Sequence, residues 1–192
     1  MPRDKLFDVE EARQKAMVAF WSNGYEATSM QGLLDAMGIQ RGSFYATFES
    51  KHQLLIDTLR AYDDARRATF AALARTRSAQ EMVRELFERV GSEASARGGQ
   101  RGCYLVNTAL ELAPRDAEVA AIVTRAFAET ESYFKDALEQ GKQRGEVSAS
   151  VDSVATARAL LGLLLGLRVL ARSGAAAPVI TSIVDQAAAL VA

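Results

Sequence analysis

The sequence is poor in the residues that usually announce chemistry. Its one cysteine, Cys103, excludes an internal disulfide and a cysteine-rich metal site, and it suits a reducing compartment. Its one histidine, His52, stands in no HExxH, phosphate-loop or EF-hand spacing, so neither a metal, a cofactor nor an enzymatic activity is expected. Only three prolines occur and β-branched residues are sparse, while Ala, Leu, Glu, Arg and Gln are plentiful, which favours helix over sheet. An excess of either charge is missing too, since 23 basic side chains face 24 acidic ones. Residues 1–51 carry six basic residues (Arg3, Lys5, Arg13, Lys15, Arg41, Lys51) against seven acidic ones. Bulk charge thus lends no support to nucleic-acid binding, and any such function must rest on local geometry. The most apolar run, Ala159–Leu167, lies between Arg158 and Arg168 and is shorter than the roughly 20 residues that span a bilayer. It reads as a buried helix, with no membrane partner. The start lacks a basic-then-apolar leader, so a cytoplasmic protein is expected.

What is present is a series of helix starts. Asp8-Val-Glu-Glu11, Thr28-Ser-Met-Gln31, Ser50-Lys-His-Gln53 and Ser78-Ala-Gln-Glu81 each set a side-chain acceptor three residues before Glu or Gln. That spacing lets each end satisfy an orphaned amide of the first turn. Apolar periodicity predicts an amphipathic helix over Val9–Ser22, closed by Asn23-Gly24, and a short one from Thr28 to Met37, broken by Gly38. Another short helix is expected over Gln40–Thr47 and a long one from Ser50 to about Arg77. Further helices follow over Ala79–Ala96 and, past a glycine-rich break at 98–102, over Cys103–Leu112. The last three run from Asp116 to about Arg144, from Asp152 to about Arg172, and from beyond Pro178 to near the end. The expectation is an all-α chain of nine helices.

The stretch Met37–Leu55, MGIQRGSFYATFESKHQLL, is the most informative. Two short helices joined at Gly38 match a helix-turn-helix, whose second helix enters the DNA major groove. Phe44 and Phe48, four apart, can pin Gln40–Thr47 to its neighbours together with Ile39, while Gln40, Ser43 and Thr47 share another face beside Arg41 and Tyr45. A helix this short persists only if held from its apolar side, which leaves the polar side free to read something. Gly42 costs about 1 kcal/mol relative to Ala inside a helix. It is either a tolerated defect or the point where backbone approaches a phosphate or base edge. Thr28 and Ser50 read first as caps, each also leaving amides where a phosphate docks. Lys51 opposes the helix dipole, which an anion at that point would explain.

Gly24-Tyr25-Glu26-Ala27-Thr28-Ser29, with Met37 to Lys51, resembles the N-terminal DNA-binding domain of TetR-type transcriptional repressors. The resemblance is strong over Val9–Leu55 and looser beyond, where helix order and the segments Arg101–Ala113 and Gly162–Gly174 carry it; His52 departs from it where an acidic residue is expected beside the lysine. It implies a homodimer on a palindromic double-stranded DNA operator, released by a small-molecule effector bound in the C-terminal domain. In fold it implies an N-terminal three-helix, homeodomain-like helix-turn-helix over 1–50 and a C-terminal helical ligand-binding and dimerisation bundle over 51–192. By position, Thr28, Gln40, Arg41, Gly42, Ser43, Tyr45, Thr47 and Lys51 would face DNA.

In the second part, Leu160–Leu167 is apolar all round and must be buried on every side. Gly162 and Gly166 would let a partner backbone come close, and the last helix offers Val179, Ile180, Ile183, Val184, Ala187, Leu190 and Val191 at helical spacing. Pairing both helices with their symmetry mates gives a four-helix dimer interface; burial within one subunit is the alternative. For an effector, Phe87, Tyr104, Phe127 and Phe134 supply apolar lining that suits plain core equally well, while Asn107 and Arg168 are polar residues in apolar runs. Arg168 could hold an anionic ligand, pair with Glu111 or reach solvent. Cys103 follows Arg101-Gly102 at a helix start, where dipole and cation favour the thiolate, so it is a candidate sensor of electrophiles or oxidants or else an inert small residue. A helical protein-interaction adaptor without DNA binding is the alternative function.

Overall fold

Six of the nine described helices begin where a side chain meets the first-turn amides, and α3, α6 and α9 begin without one. In the computed structural model, which describes residues 7–95 and 101–191, α1 (Val9–Asn23) starts at Asp8, whose carboxylate accepts from the Glu10 and Glu11 amides. α2 (Met30–Met37) starts at Ser29 and α3 (Arg41–Phe48) follows Gln40. α4 (Lys51–Thr76) is capped by Ser50. Ahead of α5 (Ala79–Ser95), Ser78 and Glu81 exchange both bonds of a capping box, at 2.9 and 3.2 Å. α6 (Tyr104–Leu112) follows Cys103, α7 (Ala117–Gln143) is capped by Asp116, α8 (Ser153–Arg172) by Asp152, and α9 (Ala177–Ala189) carries Pro178 in its first turn. Among the described residues there are nine helices and no strand. The predicted glycine break at 98–102 lies outside them except for Arg101 and Gly102, as do Arg3 and Lys5.

Four starts differ from the sequence expectation, α3 among them, since Gln40 precedes it rather than opening it. The cap expected at Thr28 belongs to Ser29, whose hydroxyl accepts from the Gly32 amide, while Gln31 turns along its own helix to Asp35. Cys103 is the residue before α6 rather than its first. The last helix begins before Pro178, because a residue without an N–H fits a first turn that has no intrahelical acceptor for it.

Packing forms two hydrophobic clusters. One joins α1–α3 to the first half of α4, to α6 and to the first half of α7, through Phe20, Leu33, Phe44, Leu59, Tyr104 and Ile122. The other joins the second halves of α4 and α7 to α5, α8 and α9, through Phe70, Phe87, Phe134, Leu160, Leu167 and Ile180. On the α4–α7 seam lies a charged group centred on Asp63, which is 1% exposed. Its carboxylate pairs with Arg66 at 2.7 Å and Arg67 at 3.0 Å. Arg67 reaches Glu129 on α7 at 2.8 Å, and Arg66 donates to Thr130. Each charge there has an opposite partner, which is what burial requires.

α8 bears on two expectations. The whole helix, at 20 residues, is long and apolar enough to cross a membrane by length and composition, although the Ala159–Leu167 run alone is not. Its charged residues argue for water and protein instead: Arg158 pairs with Glu131 and Arg168 with Glu93. Nor is it covered all round within the chain. Ala157, Leu160, Leu164, Leu167 and Ala171 are buried, whereas Ala155, Ala159, Gly162, Gly166 and Val169 form an exposed stripe at helical spacing. α9 and the two residues after it divide likewise, with Ile180, Val184, Ala187 and Val191 facing their own subunit and Val179 and Leu190 facing out.

Candidate nucleic-acid interface

The turn between α2 and α3 is made by Gly38, whose left-handed backbone (φ +71°) closes α2 while its amide reaches Leu34 O at 2.9 Å. α3 is then held from beneath. Phe44 is 0% exposed and Phe48 3%, their ring centroids 5.7 Å apart in the first cluster, with Ile39 packed alongside. This leaves Gln40, Arg41, Gly42 and Tyr45 exposed, with Ser43 and Thr47 half-buried beside them. Tyr45 stands edge-on to Phe44 at 5.2 Å and remains 49% exposed. Gly42 has no internal justification, because a Cβ built there meets nothing within 4 Å.

Two members of the expected set face inward. Thr28 is buried, with its hydroxyl donating to Gly24 O and its amide to Tyr25 O. Its side chain is thus turned into the protein, because the chain enters α2 one residue later than expected. Lys51 is half-buried, its Nζ donating to Tyr25 O at 2.6 Å and lying 4.1 Å from the Tyr25 ring centroid. Burial pushes its pKa down, against the pull of Glu26 and Glu111. An internal carbonyl and ring therefore account for a cation at this helix start, although an ammonium with three donors keeps two beyond that bond.

Sequence reasoning missed what holds this module. Glu111, in the last turn of α6, accepts the Tyr25 amide at 3.0 Å and the Glu26 amide at 2.8 Å. His52 meets Asp116 at 2.7 Å. The Val119 amide, against burial and with His52 adding to it, holds Asp116 below the usual carboxylate range. Arg60 pairs with Glu118 at 3.0 Å. No local pattern signals a bond to a residue 85 positions away.

The effector candidates fall into two groups. Cys103, Tyr104, Asn107 and Arg168 gather near Trp21 and Tyr62, with Phe127 packed on the same cluster, whereas Phe87 and Phe134 belong to the other. Tyr62 donates to Cys103 Sγ at 3.7 Å, and burial raises the pKa of both the Tyr62 and Tyr104 phenols, so each is a neutral hydroxyl. Asn107 donates to Arg101 O at 2.7 Å, a carbonyl that also accepts from Trp21 and Arg172. Arg168 pairs with Glu93 rather than Glu111, which the Tyr25 and Glu26 amides engage. A cleft of about 430 Å³ opens between α1, α6 and α8, lined among others by Trp21, Asn107, Glu111 and Arg172.

Comparison with known proteins agrees with this arrangement. Residues 13–58 match "Bacterial regulatory proteins, tetR family", and residues 79–180 match "Tetracyclin repressor-like, C-terminal domain". The chain is 31% identical over 90% of its length to an uncharacterized HTH-type transcriptional regulator of Bacillus subtilis strain 168, YezE, covering 90% of that protein. To the HTH-type transcriptional repressor ComR of Escherichia coli K12 it is 30% identical, over 90% of this chain and 83% of that one. Among solved structures, a cysteine mutant of the TetR family regulator CifR, complexed with 26-base-pair double-strand operator DNA, superposes with a TM-score of 0.86 at 29% identity over 98% of both chains. With both family models matched and relatives at this identity over most of its length, the chain belongs to the TetR family of bacterial transcriptional regulators.

Proposed function

We propose that this regulator is a homodimeric repressor that reads a palindromic operator with α3 and is released by a small-molecule effector or by modification of Cys103. Residues 1–50 act as the reading module and 51–192 as the sensing and dimerising body. The observation that carries the reading is the division of α3 between two buried phenylalanines and an exposed face of Gln40, Arg41, Gly42 and Tyr45. Arg and Gln are suited to bidentate contacts with guanine and adenine edges, and Tyr45 to a phosphate. Ser43, Thr47 and Lys51 flank that face and would add backbone contacts. CifR's operator complex and ComR's description as a repressor support the proposal by likeness.

The exposed stripe of α8 and the outward residues of α9 would form the seam with a second copy. Effector contacts are assigned to Cys103, Tyr104, Asn107, Phe127 and Arg168, where three helices of the body meet α1 through Trp21. An effector acts only by favouring one subunit arrangement over another, so it must bind the two with different affinity.

A gel shift with duplexes from the chain's own promoter region, at rising salt, tests the central claim. Binding should be sequence-specific and weaken steeply with salt. Gln40→Ala and Arg41→Ala should each relax the preference at their own base positions by about 1–3 kcal/mol. Variants that retain the parent's affinity and preference would overturn the assignment of α3.

A further inference from the structure

We infer that Glu111 is the positioning residue that fixes the angle of the reading module on the body, and thereby the half-site spacing that the dimer accepts. The inference rests on the operator-reading proposal. The turn between α1 and α2 presents two successive amides, those of Tyr25 and Glu26, and the two oxygens of the Glu111 carboxylate take one each, at 3.0 and 2.8 Å. Successive backbone N–H groups aimed at one anion form a strong, directional contact, and the charge on the acceptor strengthens both bonds. The close approach is built into the sequence. Gly24 precedes the two amides with φ +85°, and a Cβ there would lie 3.0–3.3 Å from the Glu111 carboxylate atoms.

The same peptide is gripped from its other side, because Tyr25 O accepts Lys51 Nζ at the start of α4. The turn that leads into α2 and α3 is therefore clasped between the last turn of α6 and the first turn of α4. At the opposite end of α6, Trp21 donates its indole N–H to Arg101 O at 3.1 Å, tying α1 to the residues before α6. With both ends of α6 fastened to the reading module, any rotation of α6 must carry α3 with it or break the Glu111 bonds. Two subunits reach successive major grooves only if their reading helices sit about 34–36 Å apart, so the angle set here becomes a length on DNA.

The test uses the full chain and operator duplexes selected by it from random DNA, then rebuilt with the half-sites moved one or two base pairs closer or further. Glu111→Gln keeps the size of the side chain but sets an amide N–H₂ against a backbone donor, and Glu111→Ala removes both bonds. In both variants, hydrogen exchange at the Tyr25 and Glu26 amides should accelerate. Discrimination between the best and the altered spacing should fall by about tenfold, with base preference inside each half-site unchanged. Faster exchange with the parent's spacing profile intact would overturn the inference and leave operator reading standing, as would unchanged exchange in Glu111→Gln. A parent chain that selects no operator at all would overturn operator reading itself, and the inference with it.

Discussion

Gly42 is a residue whose cost has no return inside the protein. A methyl group there meets nothing within 4 Å, and the backbone is ordinary helix. Gly42→Ala should therefore stabilise the chain by about 1 kcal/mol, read as a higher melting temperature. If α3 brings its backbone against DNA, the same variant should bind operator more weakly, and a gel shift separates the two effects. Asp152 makes a second argument from one side chain. The Ala155 and then the Val154 amide hold its carboxyl below the ordinary value of 3.8. A carboxyl depressed on folding gives stability that is complete above that ordinary value and is lost as pH falls through the folded one. Asp152→Asn keeps a good cap. It should melt close to the parent at pH 7 and lose less than the parent on acidification, as thermal melts across pH would register. Residues of this kind were legible in the sequence because an N-cap is a local device. Thr28 was not: two neighbouring hydroxyls, Thr28 and Ser29, both suit the cap, and only packing decides that Ser29 takes it while Thr28 turns to Gly24 O.

Among the elements, α4 and α7 carry the long-range order, since each contributes to both hydrophobic clusters. Their charged seam at Asp63 is the most exposed to damage by a single change. Asp63→Ala would leave Arg66 and Arg67 to share Glu129 alone, at a cost of about 3 kcal/mol in urea unfolding. Helix existence and order were legible because apolar residues recur at three- and four-residue steps with caps ahead of them. The Asp63 group was not, because its acidic and basic members on α4 look from sequence like an ordinary solvated face. The candidate reading surface was largely legible for a related reason: on a helix as short as α3, two buried phenylalanines fix which face is left over. Glu111 stayed hidden because its partners are backbone amides, which every residue possesses.

For the whole molecule, the uncovered stripe on α8 is the feature that a single subunit leaves unexplained. Gly162 and Gly166 have nothing within 4 Å of an added Cβ, so a side chain there is tolerated by the subunit's own fold. Gly166→Arg should give a folded monomer by analytical ultracentrifugation, with operator affinity reduced about a hundredfold as the two half-sites are no longer bound together. A dimer with the parent's affinity would show that the seam lies elsewhere. From the sequence, an apolar helix was legible, but not which of its faces its own subunit covers; that depends on where α7 lies against it.

Trp21 is the chain's only tryptophan, and it stands where α1 meets Tyr62 at 5.2 Å, Tyr104 at 6.1 Å and the Arg101 guanidinium at 5.1 Å. The protein thus carries its own optical gauge. Indole emission shifts with the polarity around the ring and is quenched by neighbouring groups, so opening of this junction would change colour and intensity without any attached dye. A titration followed by that light alone would tell when the module and the body part company.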